Sequence, residues 1–248
     1  MLDGSVDLSR VIDKRVVLLQ SGGLDSCYIA CLLERYGFEE IHHVFVDYGQ
    51  NSAEQELKAS RKIVEAYGGE LHVVKLDMPW LCDSTLLNGH KVEAPVIERQ
   101  FGAVKYGTYV PMRNAVLLSI ASSLAESLKI SYIATGLDGS QNLMGTPLGG
   151  VTDKHPKFAK MLEKALTEGS AMKHLEKNRI EFITPIMGND KTQTIQQAKF
   201  INCDLSLSWS CYNNGDTPCG DCGSCCDRLE AFEKLGLKDP AFSSKVID

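Results

Sequence analysis

The 248-residue sequence predicts an α/β protein built on a doubly wound, Rossmann-like parallel sheet, with a small cysteine-rich region at its C-terminal end. Three observations carry that expectation. Runs rich in β-branched residues alternate with helical patterns over residues 14–77, the order expected of parallel strands joined by crossover helices. The first run leads directly into a glycine-bearing turn, SGGLDS, at residues 21–26. Five of the nine cysteines fall within the sixteen residues 211–226, which marks one device and not a disulfide framework.

Residues 14–19 (KRVVLL) read as a first strand, apolar enough to be buried on both faces. A helix over 26–37, a strand over 40–49 (EIHHVFVDYG), a helix over 52–68 and a strand over 69–77 follow. Gly37, Gly49 and Gly68 stand where C-caps and turns would end those elements. Residues 78–111 are weakly periodic and too long for an idle loop, so they are expected to line or cover a site. A helix over 113–129 and a strand over 130–136 resume the alternation, 138–158 reads as a loop, and helices over 157–170 and 191–201 flank a strand at 180–186. The charged stretch 159–177 is a solvated helix face. The layout gives an α/β domain over 1–200 and a metal-binding region over 201–248 packed on it.

A chain with 44% hydrophobic and 23% charged residues can bury one sizeable α/β core plus a small appendage. Its net charge of −6 argues against a general nucleic-acid binder, which presents a basic surface. No apolar run approaches the roughly 18 residues of a membrane helix, and the N-terminus lacks the basic-then-apolar order of a secretory signal. A cytoplasmic protein is expected.

Glycines in a strand-to-helix turn let the backbone approach a ligand, and the helix end that follows favours an anion. The Walker A Lys-Ser/Thr is absent, so the usual grip on β/γ-phosphates is missing. A glycine pair alone is an ordinary turn. The full sextet adds the hydroxyls of Ser21 and Ser26 and the carboxylate of Asp25, which can hold Mg²⁺ against phosphates. Open parallel sheets bind ligands at the carboxyl ends of their strands, so SGGLDS, DYGQ (47–50), ATGLDGS (134–140) and PIMGNDK (185–191) are expected to face one crevice.

Cys211, Cys219, Cys222 and Cys225 have the spacing C-x7-C-x2-C-x2-C, whose tight pairs can reach one tetrahedral ion. Zinc is the first expectation and an iron–sulfur cluster the competitor. Cys226, adjacent to Cys225, is left out. His42 and His43 read as core or sheet-face histidines, Cys27 and Cys31 as buried helix residues, and Trp209 either stacks on a planar base or packs beside the metal.

The sextet resembles the pyrophosphate loop of the N-type ATP pyrophosphatases, which cleave ATP between its α- and β-phosphates. The resemblance narrows to the QueC family of 7-cyano-7-deazaguanine synthases: VFVDYGQNSAEQE resembles its second-strand motif, TYVPMRN its Val-Pro-Gly-Arg-Asn with Met112 in the glycine's place, and SCYNN with CGDCGSCC its four-cysteine end. These blocks keep family order from about residue 16 to 236. The resemblance implies a fold of the adenine nucleotide alpha hydrolase (HUP-like) type. It implies ATP held by Ser21, Gly22, Gly23, Leu24, Asp25, Ser26, Asp47, Tyr48 and Gly136. Asp25, Arg113 and Lys191 are implied in catalysis, Arg113, Asn114, Asp138, Asp153 and Trp209 in substrate binding, and Cys211, Cys219, Cys222 and Cys225 as metal ligands. ATP, Mg²⁺ and Zn²⁺ are the expected cofactors, a deazapurine acid and ammonia the expected partners, and a homodimer the expected assembly.

One stretch departs from the family. Where QueC proteins carry Ser-Gly-Tyr-Pro-Asp-Cys-Arg, this chain has the longer SQNLMGTPLGGVTDKHPKF, with Asp153 at the acid's position and His155 near the arginine's. An acidic group there can accept hydrogen bonds from a guanine-like edge. Three functions are therefore weighed: synthesis of the nitrile from 7-carboxy-7-deazaguanine, joining of the same acid to another amine such as a protein N-terminus, and a zinc-bearing nucleotide-binding module without turnover.

Overall fold

The computed structural model describes residues 8, 11–78, 84, 86–87, 89, the strands at 97–100 and 103–106, and residues 110–139 and 152–242. Five parallel strands form the sheet: β1 (Arg15–Leu19), β2 (Glu40–Asp47), β3 (Glu70–Lys75), β6 (Tyr132–Ala134) and β7 (Glu181–Ile183), in the order β3-β2-β1-β6-β7. Val16, Val17 and Leu18 of the central β1 are wholly buried, as a strand covered on both faces requires. Helices α1 (Leu24–Arg35), α2 (Ala53–Tyr67) and α6 (Lys191–Phe200) pack on one face; α3 (Arg113–Leu128) and α4 (Pro156–Gly169) pack on the other. The expected doubly wound architecture is the one observed.

The chain runs from β1 out to β3 and then continues on the other side of β1 with β6 and β7. The winding therefore reverses between β1 and β6, and such a reversal opens a crevice at the carboxyl ends of those two strands. Leu205, Ala231 and Phe232, from the C-terminal region, belong to the same core as Val16 and Ile29, so that region shares the domain's interior.

Three local outcomes differ from the sequence reading. An antiparallel hairpin, β4 (Ile97–Gln100) with β5 (Ala103–Tyr106), falls within 78–111. Most of the rest of that stretch, expected to line or cover the site, lies outside the described residues, as do residues 140–151 of the departing loop. The charged stretch 159–177 is two helices: the Ser170 side chain accepts from the Met172 backbone N–H and starts α5 (Ala171–Leu175). A further helix, α7 (Gly223–Lys234), begins inside the cysteine run. Among the described residues no helix is long and apolar enough to cross a membrane.

Met112, just before α3, has φ 53° and ψ 21°, the left-handed region. The glycine usual there in the QueC pattern adopts it freely, whereas a residue with a Cβ pays roughly 1–2 kcal/mol. Glycine's larger unfolded-state entropy offsets about 0.5–1 kcal/mol of that gain. Met112 is 53% exposed and has little packing to lose. Met112→Gly is thus expected to stabilise the chain by up to about 1 kcal/mol, read as a higher urea midpoint at unchanged slope; a lower midpoint would refute the strain.

Candidate functional site

The crevice contains a cavity of about 270 Å³ lined by Ser21, Gly23, Leu24, Asp25 and Ser26 after β1, Gly136 after β6, and also Tyr48, Arg113, Asn114, Lys191 and Trp209. The turn is held tightly. Gly22 has φ +73°, and a Cβ there would lie 2.3 Å from the Glu56 carbonyl oxygen of α2, a contact only glycine permits. Ser26 Oγ donates to the Gly23 carbonyl at 3.1 Å, the Gly23 N–H donates to Ser21 Oγ at 3.3 Å, and Gln20 Nε2 donates to Ser26 Oγ at 3.0 Å. Behind them His43 meets Gln20 Oε1 at 3.3 Å; burial lowers its pKa to about 4 and keeps it neutral. The turn opens into the N-terminus of α1, whose unpaired N–H groups favour an anion.

Lys191, at the start of α6, donates to both carboxylate oxygens of Asp25, at 2.8 and 2.7 Å. A lysine and an aspartate 166 residues apart in sequence are thus joined at the cavity wall. Gly136, at the end of β6, lies beside this pair: a Cβ there would stand in ordinary contact, 3.4 Å, with that of Asp25. The Asp25 carboxylate is a hard oxygen donor of the kind Mg²⁺ takes.

Also on the lining, Arg113 Nη1 donates to the Tyr48 hydroxyl at 3.2 Å. Burial opposes the Arg113 charge more than any one neighbour favours it, but Tyr48, Tyr212 and Asp153 together raise its pKa. Burial also raises Tyr48, and pushes Tyr212 up to about 12, so both stay neutral phenols. Glu56, also on the cavity wall, accepts from Gln50 Nε2 at 2.9 Å and Ser52 Oγ at 2.7 Å, while burial raises its pKa. Gln20 is not singled out in the sequence; Gln50 is expected at the crevice as part of DYGQ, while Glu56 and Tyr212 stand only within the motifs VFVDYGQNSAEQE and SCYNN, with no role of their own.

Four expected site residues stand back from the cavity lining: Gly22, packed on the Glu56 carbonyl, and three aspartates. Asp47 accepts from the Gly49 N–H at 3.0 Å and shapes the turn after β2. Asp138 receives Lys154 Nζ at 3.3 Å, and it is Lys154 that lines the cavity. Asp153, 4% exposed, accepts from the Asn114 backbone N–H through Oδ2 at 3.1 Å and so occupies the N-terminus of α3. Its Oδ1 is buried and has no hydrogen-bond partner among the described residues.

The sulfur atoms of Cys211, Cys219, Cys222 and Cys225 lie within 4.8 Å of one another, with Cys211 to Cys219 at 3.4 Å and Cys219 to Cys225 at 3.9 Å. A tetrahedral zinc with Zn–S near 2.3 Å needs sulfurs about 3.8 Å apart, so the set can hold such an ion. Backbone N–H groups of Asn213 and Cys219 point at Cys211 Sγ, at 3.3 and 3.4 Å, as donors that favour a thiolate. Thiol hydrogen bonds from Cys211 and Cys225 draw Cys222 well below the ordinary range. Cys226 is exposed and outside the group.

The cysteine region is bolted to the loop at the cavity by Arg228 of α7. Its guanidinium, 1% exposed, pairs with Asp239 through Nε at 2.6 Å and Nη2 at 2.9 Å, and also donates to Ser208, Ser210 and the Leu205 carbonyl. From there Trp209 reaches both ways: its backbone N–H donates to the Gly22 carbonyl at 2.8 Å and its Nε1 to the Cys211 carbonyl at 2.9 Å.

The chain is similar to known proteins over most of its length. Residues 15–236 match the family described as queuosine biosynthesis protein QueC. A protein named 7-cyano-7-deazaguanine synthase from Methanosarcina barkeri is 32% identical over 239 residues, covering 91% of this chain and 96% of its own. One of the same name from Persephonella marina is 33% identical over 232 residues, covering 93% and 97%. A solved NMN synthetase from Francisella tularensis overlays 96% of this chain and 80% of its own at TM-score 0.47 and 9% identity, too distant to carry an argument.

The Arg228 bolt sets a stability test. Asp239→Ala would strand a buried guanidinium, and breaking a buried pair from one side costs about 3–5 kcal/mol. A large drop in melting temperature is expected, with loss of nucleotide binding because the Trp209–Gly22 link loosens; a shift under about 1 kcal/mol would mean that the pair behaves as a surface ion pair.

Proposed function

The chain belongs to the QueC family, and from that membership we propose that it is an ATP-using ligase that adenylates the carboxylate of 7-carboxy-7-deazaguanine and carries it with ammonia, through the amide, to 7-cyano-7-deazaguanine. The names of its relatives support the substrate class. The observation that carries the reading is the meeting of SGGLDS, the Asp25–Lys191 pair and the end of β6 in one cavity at the reversal of the sheet.

In this reading residues 1–200 are the ATP-cleaving domain and 201–248 its metal-bearing region. Ser21 to Ser26 cradle the β,γ-pyrophosphate with backbone N–H groups and two hydroxyls, leaving the α-phosphorus exposed. Asp47, Tyr48 and Gly136 complete the nucleotide site, and Asn114, Asp138, Asp153 and Trp209 the acceptor site, where Trp209 offers a ring to a planar base and Asp153 acts from behind the lining through the Asn114 N–H it holds. Asp25 would hold Mg²⁺, which when bound neutralises phosphate charge. A substrate carboxylate oxygen attacks the α-phosphorus, the bond to the bridging oxygen of the β-phosphate breaks, and pyrophosphate leaves beside Lys191. Ammonia attacks the acyl carbon; the acyl C–O bond breaks, AMP departs and one N–H proton is lost, giving the amide. A second ATP adenylates the amide oxygen with loss of one N–H proton, and departure of AMP with loss of the other leaves the nitrile. The protein contributes position and fixed charge, with Arg113 set over the acceptor by Tyr48, and no side chain serves as nucleophile. The Cys₄ set holds a structural zinc, since four thiolates leave no open position. A homodimer is the assembly that the family resemblance implies.

The departing loop at 140–158 favours a second reading, in which the same adenylate is joined to another amine and stops at the amide. Mass spectrometry after incubation with ATP, Mg²⁺, 7-carboxy-7-deazaguanine and ammonia separates the cases: AMP, pyrophosphate and the nitrile are expected, an amide or protein adduct selects the second reading, and ADP with orthophosphate overturns both. Asp25→Ala is expected to slow turnover about 100-fold or more in a chain that stays folded.

For the cysteine site, Cys222→Ser is expected to remove zinc and lower the melting temperature together, while Cys226→Ser does neither. Iron and sulfide in anaerobically purified protein would replace zinc by a cluster.

A further inference from the structure

At the amino-terminal end of the sheet, on the α3 side, four ligand-type residues share one face of β2 and β3. His42 pairs in register with Glu70, and Val44, two residues on, with His72; Glu40 lies on the same face two residues before His42. His42 Nδ1 stands 2.9 Å from His72 Nε2, and Glu70 carboxylate oxygens lie 3.7 Å from the first and 4.0 Å from the second. On its other side His42 Nε2 meets Glu40 Oε1 at 2.9 Å. That contact fixes the tautomer: a proton on Nε2, shared with Glu40, puts the lone pair on Nδ1, the atom that faces His72 and Glu70.

We propose that His42, His72 and Glu70 form a second metal site, for a divalent first-row ion of the zinc class, with Glu40 orienting His42 from behind. Two imidazole nitrogens and a carboxylate oxygen are a donor set that zinc takes. Nitrogens about 2.0–2.1 Å from a tetrahedral ion lie roughly 3.3 Å apart, so the rings need to part by only a few tenths of an ångström as the ion replaces the single proton between them. A ligating histidine whose other nitrogen donates to a carboxylate is the recurrent outer arrangement of such sites. The nearby alternative is a hydrogen-bonded pair of histidines with an acid on either side, and the added metal distinguishes the two. The ion would clamp β3, the edge strand, to β2. The site is independent of the nucleotide cavity, which lies at the other end of the strands, and of the cysteine cluster.

The test is equilibrium dialysis against buffered Zn²⁺, with zinc counted per chain, and Co²⁺ spectroscopy. Wild type is expected to hold one zinc more than His72→Ala, and Cys222→Ser to keep that extra ion. Co²⁺ in the Cys222→Ser chain is expected to give visible bands without thiolate charge transfer, and His72→Ala to lose them. Glu70→Gln changes an exposed side chain and should fold normally, with this zinc bound at least about 10-fold more weakly. Equal zinc in folded wild type and His72→Ala, or unchanged affinity in Glu70→Gln, would overturn the site.

Discussion

The buried pair of Arg228 and Asp239 is the interaction on which the active half of the molecule depends. A guanidinium 1% exposed is costly to desolvate, and it survives because its donors are matched by Asp239, two serine hydroxyls and a backbone carbonyl. In exchange it fixes the segment 205–210 in one conformation. That segment carries Trp209, whose backbone grips the Gly22 carbonyl and whose ring nitrogen grips the start of the cysteine knuckle. The turn after β1 and the four thiols are therefore parts of one rigid body. A constraint on the cysteine region is passed to the turn after β1 through Trp209.

The other side of the turn is fixed by contact and not by charge. Gly22 lies so close to the Glu56 carbonyl that the turn and α2 move together, while the Glu56 side chain gathers Gln50 and Ser52 beneath Tyr48. The loops after β1 and β2 are thus locked to each other at the reversal of the sheet. Lys191 adds the loop after β7 through Asp25. Three loops far apart in sequence form one wall because each is held by a different kind of bond: close packing, a buried hydrogen-bond network and an ion pair.

Much of this was legible in the residues. The buried run of β1, the alternation that follows it and the cysteine spacing are local patterns with local causes, and the observed sheet and sulfur cluster agree with them. What could not be read depends on partners distant in sequence. Arg228 lies in a stretch that looks like any charged helix, and nothing near it announces Asp239 or Ser208. Glu56 stands within the VFVDYGQNSAEQE motif, but nothing near it in sequence announces that Gly22 packs on its carbonyl. The hairpin at 97–106 has strands of four residues, too short for alternation to distinguish from loop.

The same distinction explains how the departing loop can bear on the cavity. Asp153 does not line it; its Oδ2 takes the Asn114 N–H at the start of α3, and its charge acts on Arg113. The Lys154 beside it does line the cavity and pairs with Asp138. A change in this loop therefore reaches the cavity by two routes, through the orientation of Arg113 and Asn114 at the helix end, and through a lysine placed directly in the wall. The turn after β1 and Lys191 lie on neither route, and the first route meets the loop after β2 where Arg113 donates to Tyr48. Divergence can accordingly collect at 140–158 while SGGLDS stays intact, which is the pattern this sequence displays.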